Sequence, residues 1–331
     1  MEDGWKLFCS MDWKGKDRII HEMLILPTSS SVRQSFLDQY RQHMVAYFRE
    51  DFYDIVESQI PFYAKQYSET GELNVPLLKE SCLGHIAEWS MTVEEKGNSR
   101  YNTTRPVYPP GEVSRYADTD PRKHLHGDAN LVAVARRHMV GNEVVEWIYH
   151  SPHLQLLVQG VMQFENMHTY KSDLGLAVNI MRPTPIPDVI PQTALSFHFD
   201  TIDSSIQKDS HGNHNARGAT GVIGIQDCVK DKGGERVCFP TINRESVDNV
   251  AAVLEKYQPL TPTVPINGCT PVVVQEPIAG MLSLFNGGDV LHGVSSVREG
   301  VRVAVVFLYC ETEPTACGST DDSADSFYGK N

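Results

Sequence analysis

The chain has 331 residues, of which 41% are hydrophobic and 21% are charged. This composition is typical of a globular protein that can bury a sizeable core. The net charge of -13 argues against nucleic acid and anionic membrane surfaces as partners, because both require clusters of Lys and Arg.

The sequence shows no sign of a membrane anchor or of secretion. Residues 1–10 carry charges and lack the apolar run of a signal peptide. No apolar stretch approaches the roughly 20 residues that span a bilayer. The seven Cys are scattered, odd in number and form no C-x-x-C pair, which argues against a disulfide framework or a zinc knuckle. We therefore expect a cytoplasmic protein.

The first half of the chain has the periodicity of helices. Apolar residues recur at helical spacing over residues 32–48, and a second helix is expected over 76–95, opened by the proline at its start. Residues 97–125 show no periodicity and predict a long loop. Ser151 as N-cap and Pro152 at the first helical position predict a third helix.

From residue 174 onward the pattern changes to that of short strands separated by turn residues. The expected strands are Leu176–Arg182, Ala194–Phe199, Ala219–Gln226, Glu235–Phe239, Val272–Gln275, Met281–Phe285, Gly293–Val297 and Val301–Tyr309. Residues 202–218 predict a loop between them, and residues 244–257 a helix. Eight such strands predict a jelly roll or barrel. We expect one integrated domain, with residues 1–130 helical and residues 131–331 forming the β-core.

A short polar motif, His198 and Asp200, closes one of the expected strands. Residues i and i+2 of a strand point to the same side, so this imidazole and carboxylate can converge on one metal ion. Two His and one carboxylate on one face of a metal leave three open positions, the arrangement of non-haem Fe(II) oxygenases. A second H-x-D tripeptide at 126–128 lies outside any expected strand, so the tripeptide alone is weak evidence.

A stronger signal lies in residues 280–309, GMLSLFNGGDVLHGVSSVREGVRVAVVFLY, which predict strand, turn, strand, turn, strand. If the last turn joins its strands as a simple hairpin, His292 faces Val306, and Arg302 shares the face of His292. Arg302 lies four residues before Val306 on its strand, and four residues of strand span roughly 13 Å. A metal-bound five-carbon diacid and an extended Arg side chain can cover that span. A bulge in the turn would invert this parity.

The guanidinium of Arg302 suits bidentate pairing with the distal carboxylate of such a diacid. Arg302 could instead pair with a surface acid such as Glu299. Arg298 is then the alternative anchor for the diacid.

The H-x-D motif, a distal His about 90 residues on and an Arg ten residues after it resemble the double-stranded β-helix family of Fe(II)/2-oxoglutarate dioxygenases. Within residues 136–311, the stretches GLAVNIMRP, LSFHFD, GVIGIQDCVKDKGGERVCFP and GMLSLFNGGDVLHGVSSV look like one branch of it. That branch contains oxygenases and radical halogenases acting on free amino acids. The layout is also similar to fungal enzymes that close an aziridine on a branched amino acid.

The resemblance implies an α+β fold: a double-stranded β-helix (jelly-roll, cupin-like) core with N-terminal helices packed on it. It implies that Fe(II), 2-oxoglutarate and O2 take part in the reaction. The implied iron ligands are His198, Asp200 and His292. Arg302 and Asn179 are the implied contacts of 2-oxoglutarate.

The resemblance also suggests a substrate site and a type of product. Arg137 and His138 lie where the branch places substrate contacts, although charges beside a helix are usually solvated. Val305 and Phe307 could form apolar walls of the pocket or belong to the core. Halogenases of the branch have Gly or Ala in place of Asp200. Hydroxylation, desaturation or ring closure is therefore expected rather than halogenation.

Three functions stay open at this point. The first is oxidation of a small amino acid or an amino-acid-like metabolite. The second is hydroxylation of a partner protein, as in an oxygen sensor. The third is a cupin-like metal module without redox chemistry, against which Arg302 argues, because such a module needs no anchor for a diacid. The segments 97–125 and 202–218 favour a small substrate, since loops of that length can close the mouth of a barrel. The oligomeric state stays open.

Overall fold

The computed structural model describes residues 2–95, 131–135, 142–169, 175–181, 193–198, 218–226, 233–239, 272–275, 278–295 and 297–311. Of these, residues 2–3, 93–95, 131–135, 193–198, 239 and 272–275 are described by their backbone alone. The loop predicted at 97–125, residues 202–217 of the second predicted loop, and the helix predicted at 244–257 lie outside the described residues.

Eight α-helices lie in the described part of the chain, most of them before the first sheet strands of the core. They are α1 (Glu2–Ser10), α2 (Trp13–Leu24), α3 (Ser31–Met44), α4 (Glu50–Asp54), α5 (Ile60–Thr70), α6 (Glu80–Glu95), α7 (Glu143–Tyr149) and α8 (Pro152–Met162), with a π-helical turn at Ile55–Gln59. None of the helices described is long and apolar enough to cross a membrane.

The predicted start of α8 is confirmed. The hydroxyl of Ser151 accepts a hydrogen bond from the backbone N–H of Leu154, and Pro152 occupies the first turn. An N-cap side chain satisfies one of the four N–H groups that a helix start leaves unbonded. The sequence gave no separate prediction of α1, α2, α4, α5 and α7. Of these, α4 and α7 have only five and seven residues, too few apolar repeats to show a period.

Eleven described strands form two antiparallel sheets. They are β1 (Glu72–Pro76), β2 (Leu131–Ala135), β3 (His168–Thr169), β4 (Leu176–Met181), β5 (Thr193–His198), β6 (Gly218–Gly224), β7 (Arg236–Phe239), β8 (Val272–Gln275), β9 (Met281–Phe285), β10 (Leu291–Ser295) and β11 (Arg302–Cys310). The seven-stranded sheet has the order β1-β9-β6-β11-β4-β2, with β3 also paired to β11, and the four-stranded sheet has the order β5-β10-β7-β8.

All eight predicted strands are present, as β4 to β11, and the chain is an α+β protein with antiparallel sheets and N-terminal helices. The helix predicted over residues 76–95 is present as α6, but its predicted start at Pro76 was wrong. Pro76 instead ends β1, which pairs with β9 at the edge of the seven-stranded sheet, and α6 begins at Glu80. An edge strand tolerates proline because one side of it makes no ladder hydrogen bonds.

The seven-stranded sheet presents two different faces. Odd-numbered residues of β11, including Val305 and Phe307, lie in the main hydrophobic core together with residues of the helices. In that core Tyr149 of α7 stacks on Tyr309 with ring centroids 5.2 Å apart. The ring of Phe307 fills the space that any Cβ at Gly221 would need. Even-numbered residues of β11 therefore point away from the helices.

The packing of the helices leads to a prediction about pH. His153 of α8 is 6% exposed and meets the ring of Tyr53 edge-on at 5.0 Å. Burial, helped by the charge of Arg41, lowers the pKa of His153 from 6.5 to about 3. Between these two pH values His153 is protonated in the unfolded chain and neutral in the folded protein. Stability should be full above pH 6.5 and fall as the pH drops towards 3, by up to about 1.4 kcal/mol per pH unit.

Thermal unfolding between pH 7 and pH 4 would measure this effect, with His153→Phe as the comparison. The Phe variant lacks the titrating group and should lose stability less steeply over that interval. Equal slopes for the two proteins would show that His153 does not carry the dependence.

Candidate functional site

The two histidines singled out in the sequence lie directly opposite each other. β5 and β10 are antiparallel neighbours, and their register pairs His198 with His292. Residues opposite each other in a sheet share a face and have Cβ atoms about 4.5–5.5 Å apart. The two residues therefore occupy the same face of the four-stranded sheet.

The environment of His292 fixes the state of its ring. Its side chain is 5% exposed, and Nδ1 lies 2.8 Å from the carbonyl oxygen of Val290. A carbonyl oxygen only accepts hydrogen bonds, so Nδ1 carries a proton, and in the neutral form of the ring the lone pair lies on Nε2. This is the tautomer that a metal-binding histidine needs, with the other nitrogen held by a backbone carbonyl.

His292 faces the seven-stranded sheet. Its ring meets that of Phe285 with centroids 5.0 Å apart and an angle of 78° between the planes. Phe285 of β9 is paired with Thr220, which is paired with Leu308 of β11. Directly paired residues share a face, and Leu308 and Arg302 are six residues apart on one strand. The face that His292 contacts is therefore the face that carries Arg302.

Arg302 is buried on this inner face. It is 3% exposed, and its Nη1 donates to the sulfur of Met181 at 3.7 Å. Met181 shares a small apolar cluster with Val294, which follows His292 by two residues on the same face of β10. Arg298 is exposed, so Arg302 is the arginine of the predicted pair that the strand carries inward.

The hairpin predicted between the last two strands was wrong. β10 pairs with β5 and β7, whereas β11 pairs with β3, β4 and β6, so His292 does not pair with Val306. The two strands belong to different sheets. His292 and Arg302 still face the same interior. The ring of His292 contacts Phe285, which lies on the same face of the seven-stranded sheet as Arg302.

The remaining predictions on the inner strands have different outcomes. Asn179 of β4 is paired with Ala304, so it lies on the Arg302 face and is half-buried. Val305 and Phe307 lie on the opposite face, fully buried in the core with the helices. Their predicted role as walls of a substrate pocket does not fit this placement, since strand residues of one parity share one face.

Several predicted site residues lie outside the described residues. These are Asp200, Arg137 and His138, and for His198 the backbone alone is described. Among the side chains that are described, no three His, Cys, Asp or Glu come together as a metal-binding group. The metal ligands His198, Asp200 and His292 therefore stay a prediction from the sequence.

A buried ion pair lies beside Phe285 and was not singled out in the sequence. Arg236 of β7 contacts Glu72 of β1, and the two residues are 4% and 8% exposed. Glu72 also accepts hydrogen bonds from the hydroxyl of Ser283 at 3.0 Å and from the amide of Asn74 at 3.3 Å. Burial raises the pKa of Glu72, and the charge of Arg236 limits that rise.

These contacts join the two sheets on the inner side. Arg236 is a charged residue at the start of the otherwise apolar strand RVCF, and this could have singled it out in the sequence. Glu72 lies on a strand that was not predicted. Next to Arg236 on the same face, Cys238 is the cross-strand neighbour of His292. Burial raises the pKa of its thiol to about 11, so it is a neutral neighbour near pH 7.

Comparison with known proteins finds similar solved structures at low sequence identity. No protein-family model and no curated protein matches the sequence. Among solved structures, the non-haem α-ketoglutarate-dependent carbocyclase SnoK from nogalamycin biosynthesis is 16% identical, with coverage of 82% of this chain and 92% of its own and a TM-score of 0.49.

Two further solved structures are also similar to this chain. HygX from Streptomyces hygroscopicus, with nickel, 2-oxoglutarate and hygromycin B bound, is 16% identical and covers 74% of this chain and 84% of its own, with a TM-score of 0.42. A Pseudomonas putida prolyl-4-hydroxylase is 11% identical and covers 77% of this chain and 100% of its own, with a TM-score of 0.40. The chain thus resembles Fe(II)/2-oxoglutarate-dependent oxygenases at low identity. The chemistry is therefore inferred from the residues of this chain.

Proposed function

We propose that the chain is a non-haem Fe(II)/2-oxoglutarate-dependent oxygenase on a double-stranded β-helix core. The order of the strands supports this fold. From β4 to β11 the chain passes to the other sheet at every step except between β7 and β8. A chain that alternates between two facing antiparallel sheets winds as a jelly roll, and small barrels of this type hold ligands between their sheets.

The observation that carries the proposal is the pairing of His198 with His292 across two neighbouring strands, facing a buried Arg302. Two imidazoles suit Fe(II), and Asp200, two residues after His198, would supply the carboxylate of the 2-His-1-carboxylate set. The backbone carbonyl of Val290 accepts a hydrogen bond from Nδ1 of His292, so Nε2 is the ring nitrogen that would bind the metal. When bound, the iron would supply the oxidative chemistry, in which O2 and 2-oxoglutarate are consumed and succinate and CO2 are formed.

Arg302 would hold the distal carboxylate of 2-oxoglutarate. Its guanidinium is buried beside Met181, in an apolar setting that strengthens a charge-assisted pair. Asn179, half-buried on the same face, would donate to the same cosubstrate. The chain's own task is thus to bind, orient and shield a small dianion between its two sheets.

For the substrate we propose a small amino acid or an amino-acid-derived metabolite, as the resemblance to the amino-acid branch implies. Arg137 and His138 are the proposed contacts with it. Val305 and Phe307 are not, because they pack against the helices. Asp200 fills the position that halide takes in related halogenases, so the product would be hydroxylated, desaturated or cyclised. We expect the enzyme to work in the cytoplasm, in secondary metabolism.

Product analysis tests this function. The full chain would be incubated with Fe(II), 2-oxoglutarate and, in separate reactions, valine, isoleucine, leucine and lysine in chloride buffer. Mass spectrometry should find succinate together with a product that has gained one oxygen or lost two hydrogens. A product that carries chlorine would contradict the role of Asp200. Substrate-independent succinate with no amino-acid product would favour the alternative, a hydroxylase that acts on a partner protein.

A further inference from the structure

The Phe285 ring contacts two side chains of the four-stranded sheet. The guanidinium carbon of Arg236 lies 3.8 Å from its ring centroid, within the range of a cation–π contact. The ring of His292 meets it nearly edge-on, with centroids 5.0 Å apart. Phe285 belongs to the opposite sheet, so it is a shared neighbour of these two residues.

Arg236 is itself held in place by a polar network. Glu72 pairs with it and is fixed in turn by Ser283 and Asn74. Glu72, Ser283 and Arg236 are buried, whereas Asn74 is exposed on the edge strand β1. The contacts lead from Glu72 of β1 to Arg236 of β7, then to Phe285 of β9 and finally to His292 of β10. A planar guanidinium held by a carboxylate can lie flat on a ring, which a lysine ammonium cannot do.

We propose that the Glu72–Arg236 pair is a positioning device for His292, acting through the ring of Phe285. The hydrogen bond to the Val290 carbonyl fixes one edge of the imidazole, and Phe285 limits its rotation about that bond. Two restraints of different direction hold the plane of the ring, and with it the direction of the Nε2 lone pair. The inference rests on the proposed metal role of His292 and extends it to two residues that would not touch the metal.

Metal binding to the full chain tests the inference, with Co(II) as the probe because the visible absorption of bound Co(II) reports its coordination geometry. Arg236→Lys keeps a cation beside Glu72 and removes the flat contact with Phe285. We expect Co(II) affinity to fall about 10- to 100-fold, the usual effect of losing a group that orients a metal ligand, and the absorption bands to shift. Unfolding temperature should change little.

A double variant separates positioning from stability. Glu72→Met with Arg236→Met replaces a buried ion pair by apolar side chains of similar length, a change that often leaves stability unaltered. If the pair acts only on stability, this variant should have both the unfolding temperature and the Co(II) affinity of the wild type. We expect the unfolding temperature of the wild type together with the weaker Co(II) affinity and the altered Co(II) spectrum of the Lys variant.

Asp17→Asn is the matched control. Asp17 of α2 contacts the fully buried His150, which directly follows α7, in the helical part of the chain. The Asp17→Asn variant should have a lower unfolding temperature, with the Co(II) affinity and spectrum of the wild type. Wild-type Co(II) affinity in Arg236→Lys and in the double variant would overturn the positioning role while leaving the proposed function intact. A wild type that binds no Co(II) would overturn both.

Discussion

Replacing His292 by alanine should abolish Fe(II) binding and succinate formation. The variant leaves one imidazole and one carboxylate in the proposed ligand set, and two ligands hold iron poorly. Residues that merely orient a metal ligand typically cost about 10- to 100-fold in metal affinity when mutated, so loss of a ligand itself should exceed 100-fold. Anaerobic equilibrium dialysis with Fe(II) and a succinate assay would measure the two effects separately.

His198→Ala should behave in the same way, because the register places it directly opposite His292. His85→Ala is the control: this histidine of α6 is exposed, and its loss should change neither property. Unchanged Fe(II) affinity in His292→Ala, with the folded state retained in circular dichroism, would falsify the assignment of the metal site.

The β-strands of the core could be predicted from the sequence because their signals are local. β-branched runs bounded by Gly, Pro and Asn gave all eight strands from β4 to β11, with shifts of only one or two residues at most ends. The same holds for the cap of α8, where Ser151 and Pro152 act on adjacent backbone groups. Each of these features is decided within a few residues.

The partner of each strand could not be predicted in the same way. β10 and β11 are close in sequence, and a hairpin is the usual outcome for such neighbours. Here the turn with Gly300 at φ 80° carries the chain to the other sheet instead. His292 and Arg302 face the same interior from two different sheets. The alternation of side chains along one pair of strands cannot predict that arrangement.

The ion pair of Glu72 and Arg236 shows the same limit. The two residues are more than 160 positions apart, and each is the first residue of its own strand. Their contact depends on β1 joining the edge of the sheet next to β9. Only the folded chain brings together the two opposite charges, and neither would be stable in that interior alone.

Arg302→Ala should raise the apparent KM for 2-oxoglutarate at least about tenfold while Fe(II) stays bound. A hydrogen bond to a charged group contributes about 1.5–3 kcal/mol, and about 1.4 kcal/mol corresponds to a factor of ten. The guanidinium of Arg302 is 3% exposed, so water screens its pairing with a carboxylate very little. Arg302→Lys keeps the charge without the bidentate fork and should lie between the wild type and the Ala variant.

Arg298→Ala is the matched control for this experiment. Arg298 lies four residues earlier, at the turn, and is exposed, whereas Arg302 opens β11 on the inner face. Its loss should leave the KM for 2-oxoglutarate unchanged. Initial rates of succinate formation over a range of 2-oxoglutarate concentrations would compare the variants, with Fe(II) affinity measured alongside. A raised KM in Arg298→Ala and an unchanged one in Arg302→Ala would assign the anchor to the turn, and the inner face would then need another cation to hold the cosubstrate.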